Sequence, residues 1–198
     1  MMTIRVFEPQ LSSPVIKEIL RYAGVRGDGE EIRGEILSLL PNLDKCFLPK
    51  ACYAELEVSV SSQGVVLGGV LVKSQSLARL LFGAKRAVIF AATAGLMLDR
   101  EIARLGAVSP AKQLLADAYG TERVEAICDA LCIELERQYE GSKITKRFSA
   151  GYGDVPLELQ KDIFALLDCP RKIGLTLNES LLMSPSKSVT AIVGIIDN

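Results

Sequence analysis

Lys146-Arg147-Phe148-Ser149-Ala150-Gly151-Tyr152-Gly153-Asp154-Val155-Pro156-Leu157-Glu158-Leu159-Gln160-Lys161 brings a cation, a small-residue turn and an aromatic ring together within a few positions. Asp154 and Pro156 then read as the opening of a new helix. An arginine grips a carboxylate through two parallel N–H donors. Ser149-Ala150-Gly151 makes a turn that a ligand can approach closely. Tyr152 offers a flat face to an adenine or a cationic group. S-adenosylmethionine has the complementary parts: an α-carboxylate, an adenine and a sulfonium. The same residues also fit a blander reading, a well-capped turn between a strand and a helix.

Outward from this stretch, the 198 residues are 49% hydrophobic and 24% charged, enough for one domain with a sizeable core. Net charge is −1 and no basic run is present, so nucleic acid is not expected as a partner. Met1-Met2-Thr3-Ile4-Arg5 lacks the apolar region of a secretory signal, and the longest apolar run, Ala87–Ala92, is too short to cross a bilayer. A cytoplasmic protein with no membrane partner is expected. The five cysteines, Cys46, Cys52, Cys128, Cys132 and Cys169, read as reduced thiols rather than a disulfide framework. Cys128 and Cys132 lie four apart and can share a helix face; they read as small core residues, with thiol redox chemistry or a metal site as alternatives. The chain has no histidine, which removes the usual general base and every Ser-His or Cys-His nucleophile. Its chemistry must use carboxylates, lysine, tyrosine or thiol, or belong to a bound ligand or partner.

Ser13-Pro14 reads as the start of a helix through Val15, Ile16, Ile19 and Leu20, ended by Gly24. A second helix is expected from Asp28 or Gly29 to Pro41. Tyr53, Leu56, Val58 and Val60 alternate as in a strand, and Ser61–Gly64 turns the chain back through Val65–Leu67. Ser76–Phe82 reads as a short helix, Arg86–Ala92 as a central strand and Leu96–Leu105 as a helix. Ser109-Pro110 caps a long helix to about Tyr139, with an interruption expected at Gly120. Ile144–Phe148 reads as a strand, Pro156–Leu167 as a helix, and Leu175–Leu177, Leu181–Met183 and Val189–Ile196 as short strands. Helices and hairpins mix without β-α-β alternation. The expectation is a single α+β domain over residues 1–198, with a mainly antiparallel sheet.

A dinucleotide-binding or ordinary methyltransferase core needs a glycine-rich strand-to-helix turn, and the dense glycines here, Gly64, Gly68 and Gly69, sit in a hairpin instead. No GxxxxGK[ST] occurs. What the chain does resemble is the activation domain of cobalamin-dependent methionine synthase, in its stand-alone form. Arg147-x-Ser149-x-Gly151-Tyr152 is similar to the family's Arg-x-x-x-Gly-Tyr signature, and Pro156-x-x-x-Gln160-Lys161 follows as it does there. Gly174-Leu175-Thr176-Leu177-Asn178-Glu179-Ser180 resembles its Gly-x-x-Leu-Thr-Glu-Ser strand, and Met183-x-Pro185-x-x-Ser188-Val189 the segment after it. Upstream, Glu18–Gly27, Ala92-Thr93-x-Gly95-x-x-x-Asp99-Arg100 and Glu125-Ala126-x-x-Asp129 resemble further parts of the family.

The resemblance implies a C-shaped α+β domain with a twisted, mainly antiparallel sheet and flanking helices, binding S-adenosylmethionine in a shallow groove. It implies docking over the cobalamin of a partner, a cobalamin-dependent methionine synthase lacking its own activation domain. There, an electron from a flavodoxin- or ferredoxin-type donor and a methyl group from the ligand restore methylcobalamin from inactive cob(II)alamin. By the same resemblance Arg147 holds the ligand's carboxylate, backbone at Ser149 and Gly151 meets it, and Tyr152 packs beside it. Glu125 and Asp129 match acidic positions in the long helix, and Glu179 either closes the site or pairs with Lys161. Surface pairing of Arg147 with Glu158 or Asp154, and a core role for Tyr152, are the structural alternatives. Ala150 stands where the family usually has proline, and the family's N-terminal acidic ligand contact has no counterpart that can be placed from sequence. The competing functional reading is a corrinoid-protein docking module of the same fold that no longer binds S-adenosylmethionine.

Overall fold

An unbroken apolar run is at rest only where both of its faces are covered, and the run ending at Thr93 is buried from Ala87 onward. The computed structural model describes residues 2–26 and 29–197. In chain order these form β1 (Arg5–Phe7), α1 (Ile16–Tyr22), α2 (Glu30–Cys46), β2 (Lys50–Ser61), β3 (Gly64–Leu67), β4 (Val70–Val72), α3 (Gln75–Leu80) and β5 (Arg86–Thr93). There follow α4 (Leu96–Gly106), α5 (Pro110–Gln138), β6 (Ser142–Ile144), α6 (Leu159–Leu167), α7 (Cys169–Ile173), β7 (Thr176–Leu177), β8 (Met183–Ser184) and β9 (Ser188–Asp197). Seven strands make one antiparallel sheet in the order β4-β3-β2-β5-β9-β6, with β1 also on β2. The expected α+β class with a mainly antiparallel sheet is what the chain adopts.

The sheet's two faces carry separate cores. Cys52, Ala54, Ile89, Ala91 and Ile192 pack with Ile163, Phe164 and Leu167 of α6. Tyr53, Val88, Phe90 and Val193 pack with Ile127, Cys128, Leu131 and Leu135 of α5. A third core, with Ile19, Ile36, Leu43, Leu98, Leu115 and Tyr119, joins α1, α2 and α4 to the first half of α5. Helix α5 thus runs from a helical bundle onto the sheet, and one of its faces borders the candidate site.

Several boundaries differ from the sequence expectation, each for a local reason. Val15, not Ser13, is the N-cap of α1, and its N–H donates to Glu122 of α5 at 3.1 Å. Asp28, one expected start of α2, and Gly27 lie outside the described residues, while Gly29 is the N-cap. Pro41 lies inside α2: the buried stripe Ile36, Leu39, Leu43 continues past it, and packing along that stripe outweighs the one helical hydrogen bond that a proline cannot donate. Gly120 does not interrupt α5; a Cβ there would meet the Lys187 side chain at 2.8 Å, and Lys187 bonds Thr121 and Asp117 across it. Strand β6 stops at Ile144, after which Phe148 alone bridges to Ile192. Helix α6 begins at Leu159, later than Pro156, and β8 pairs with β7 in a small sheet of its own.

Candidate functional site

Phe148 exchanges both backbone hydrogen bonds with Ile192, at 3.0 and 2.8 Å, and so fixes the preceding residue beside α5. Arg147 there extends its guanidinium to the helix. Its Nη2 lies 3.0 Å from Glu125 and 2.9 Å from Asp129, four residues apart and therefore on one helix face. Its Nη1 is buried and has no hydrogen-bond partner. A buried donor without an acceptor is costly, and is expected where a ligand completes the set. The surface pairing with Glu158 or Asp154 is replaced by this one. Sequence reading gave Arg147 and the two acids separate ligand contacts; the fold joins them into one cluster.

A hollow of about 190 Å³ opens beside the guanidinium, lined by Glu125, Arg147, Phe148, Ser149, Tyr152, Val189 and Ala191. Tyr152 is 70% exposed, which removes the reading of a core plug. Gly151 is required by its backbone, at φ +84°, and a Cβ would meet Leu157 at 3.0 Å. Its N–H donates to the Val155 carbonyl at 3.1 Å. What Gly151 retains for a ligand is therefore its carbonyl, and the space beside its Cα belongs to Leu157 rather than to a visitor. Glu179 is exposed between β7 and β8, lines neither this hollow nor its neighbour, and makes no ion pair with Lys161.

Asp154 does not start the helix after the turn. It accepts from the Ser74 hydroxyl at 2.5 Å and from the N–H groups of Gln75 and Ser76, capping α3. The Ser74 hydrogen bond foremost, then those backbone donors, hold its carboxyl well below the usual carboxylate range.

The second hollow, of about 410 Å³, shares Glu125 with the first and was not legible from motifs. One wall is α5, at Glu122, Glu125, Asp129 and Ile133; the other comes from the N-terminal segment, with Ser12, Val15, Glu18 and Tyr22. Only the three-to-four spacing of Glu122, Glu125, Asp129 and Ile133 along one helix could have signalled it.

Two stretches that resemble the family meet nearby. Asp99 accepts from the Ser186 N–H at 2.6 Å and from its hydroxyl at 3.1 Å, while Ser188 bonds Thr93 at 2.9 Å. They hold the loop that delivers Val189 and Ala191 to the first hollow. Burial pushes the Cys128 thiol up to about 12 and raises that of Cys132 as well, so neither is a ready thiolate and the redox alternative loses its nucleophile. Among the described residues, no group of three or more metal-ligating side chains is assembled, and no helix is long and apolar enough to cross a membrane.

Residues 111–196, which carry Arg147, Glu125 and the hollow between them, match the protein family described as vitamin B12 dependent methionine synthase, activation domain. The resemblance read from the motifs is thereby borne out. Among solved structures, the chain is similar to the crystal structure of the MetH reactivation domain bound to AdoHcy, with a TM-score of 0.70 and 14% identity. That match covers 97% of this chain and 78% of the other, and it is a likeness of fold. No curated protein matches the chain in sequence.

Proposed function

We propose that this chain binds S-adenosylmethionine and acts as a stand-alone reactivation subunit for a cobalamin-dependent methionine synthase lacking its own activation domain. The observation that carries this reading is Arg147: a guanidinium with one buried, unpartnered donor, flanked by two carboxylates at the mouth of a hollow. Nη1 would take the ligand's carboxylate. Glu125 and Asp129 would face its ammonium, Ser149 and the Gly151 carbonyl would meet it through the backbone, and Tyr152 would lie along it. Glu179 is given no contact. Bound there, S-adenosylmethionine supplies a methyl group on a sulfonium, and the receiving cobalamin is carried by the partner. The chain itself only binds and orients, which is why it works without a histidine. The electron would come from a flavodoxin- or ferredoxin-type donor. A net charge of −1 gives little long-range steering, so docking is expected to be weak and transient.

A second reading, a docking module of the same fold without the nucleoside ligand, draws on two observations. Nη2 of Arg147 is already shared by two acids, and Leu157 occupies the space beside Gly151. Anaerobic mixing with a synthase in its cob(II)alamin form, together with a low-potential reductant, separates the two. Return of the methylcobalamin spectrum only when S-adenosylmethionine is present supports the reactivation subunit. Its absence, with a cognate synthase and a competent reductant, leaves the docking module.

A further inference from the structure

Glu122 and Arg123 are neighbours on α5, yet both side chains are turned into the protein, 6% and 4% exposed. The Arg123 guanidinium grips the Glu122 carboxylate through Nε and Nη2, at 2.5 and 2.7 Å. Its remaining nitrogen, Nη1, donates to the Ser12 carbonyl at 2.9 Å, and Glu122 also accepts from the Val15 N–H at 3.1 Å. Between residues 9 and 14, the Ser12 carbonyl is the one backbone group with a hydrogen-bond partner among the described residues. This stretch has neither helix nor strand to hold it. A buried ion pair adds little net stability over a well-packed apolar pair, and its best-attested use is to specify position. Here the position specified is that of the N-terminal segment.

That segment is the wall of the larger hollow that faces Glu125 and Asp129. We propose that Glu122 and Arg123 are positioning residues for the amino-acid end of the ligand, clamping Ser12 and Val15 at a fixed distance from the Arg147 cluster. The inference rests on the S-adenosylmethionine reading above. It assigns the clamp a consequence that stability alone would not have: loosening the wall should affect a ligand with an aminobutyrate tail and spare one without it.

Two variants test this. Arg123→Lys keeps the charge opposite Glu122 but loses the fork that reaches Ser12. Val15→Pro removes the N–H that Glu122 accepts, at a φ of −87° close to that of proline, exchanges one apolar side chain on the wall for another and leaves the α5 core untouched. In each, hydrogen exchange of the bonded α1 amides within the peptide spanning residues 8–22 should accelerate by about tenfold while α5 keeps its protection, because losing local tethers opens the segment without global unfolding. Affinity for S-adenosylmethionine should fall about three- to tenfold, the range of one net hydrogen bond, with 5′-methylthioadenosine binding as it does to the unaltered protein. An equal loss for both ligands, or unchanged exchange at 8–22 in both variants, would overturn the inference. If the unaltered protein binds no S-adenosylmethionine, the ligand reading fails on its own. Exchange then decides the clamp by itself: acceleration upholds it and unchanged exchange overturns it.

Discussion

Two ion-pair clusters lie within two turns of one another on α5, and they are built differently. Around Arg123 the pair is sealed from solvent and each guanidinium nitrogen has an acceptor. Around Arg147 the arginine side chain is 27% exposed, those of its acids are 40% and 68% exposed, and one buried nitrogen has no acceptor. A closed network has nothing left to offer a visitor; an open one can exchange an internal partner for an external one at little cost. On the proposed reading, the first cluster serves the scaffold and the second the ligand.

Stability measurements should break the comparison most visibly at the sealed cluster. Arg123→Met leaves Glu122 buried and unpaired, and is expected to cost about 3–5 kcal/mol in denaturant unfolding. A loss below about 1 kcal/mol would mean that the pair is better hydrated than its burial indicates. Gly151→Ala, at φ +84° and against Leu157, should cost about 1–2 kcal/mol by the same measurement, through strain in the turn. Tyr152→Ala sharpens the contrast from the open side. With the ring largely in solvent, stability should change by less than about 0.5 kcal/mol, while S-adenosylmethionine affinity drops several-fold.

The smallest expected effect concerns pH. Asp154 has a folded-state pKa below its unfolded value, so its cap contributes stability above the unfolded value and loses that contribution as pH falls through the folded one. In thermal melts, the difference between the protein and Asp154→Ala should hold at neutral pH, shrink below roughly pH 4 and vanish only in stronger acid. S-adenosylmethionine affinity should be untouched by this substitution. A loss of affinity would move Asp154 from the scaffold into the site.

Legibility followed the range of the forces involved. The apolar run of β5 and the β2–β3 hairpin are local patterns, and both were readable. Arg147 was marked out as a candidate by the short motif around it. Its pairing with Glu125 and Asp129 was not, since Arg147 and Glu125, 22 positions apart, come into contact only through the β9 register. Asp154 looked like the start of the next helix but caps one that begins about 80 residues earlier, at Ser74. The clamp on Ser12 spans a separation of 111, with no spacing to announce it. Pro41 and Gly120 misled for the opposite reason: their local preference was read correctly, but packing along α2 and the Lys187 side chain overrode it.

The central claim is that the open cluster at Arg147 is a carboxylate site for S-adenosylmethionine. Calorimetric titration of the protein and of Arg147→Ala tests it directly. Losing a charge-assisted clamp should cost about 1.5–3 kcal/mol, a ten- to hundredfold weaker dissociation constant, with the circular dichroism spectrum retained. The same dissociation constant in both proteins, with the fold intact, would contradict the account.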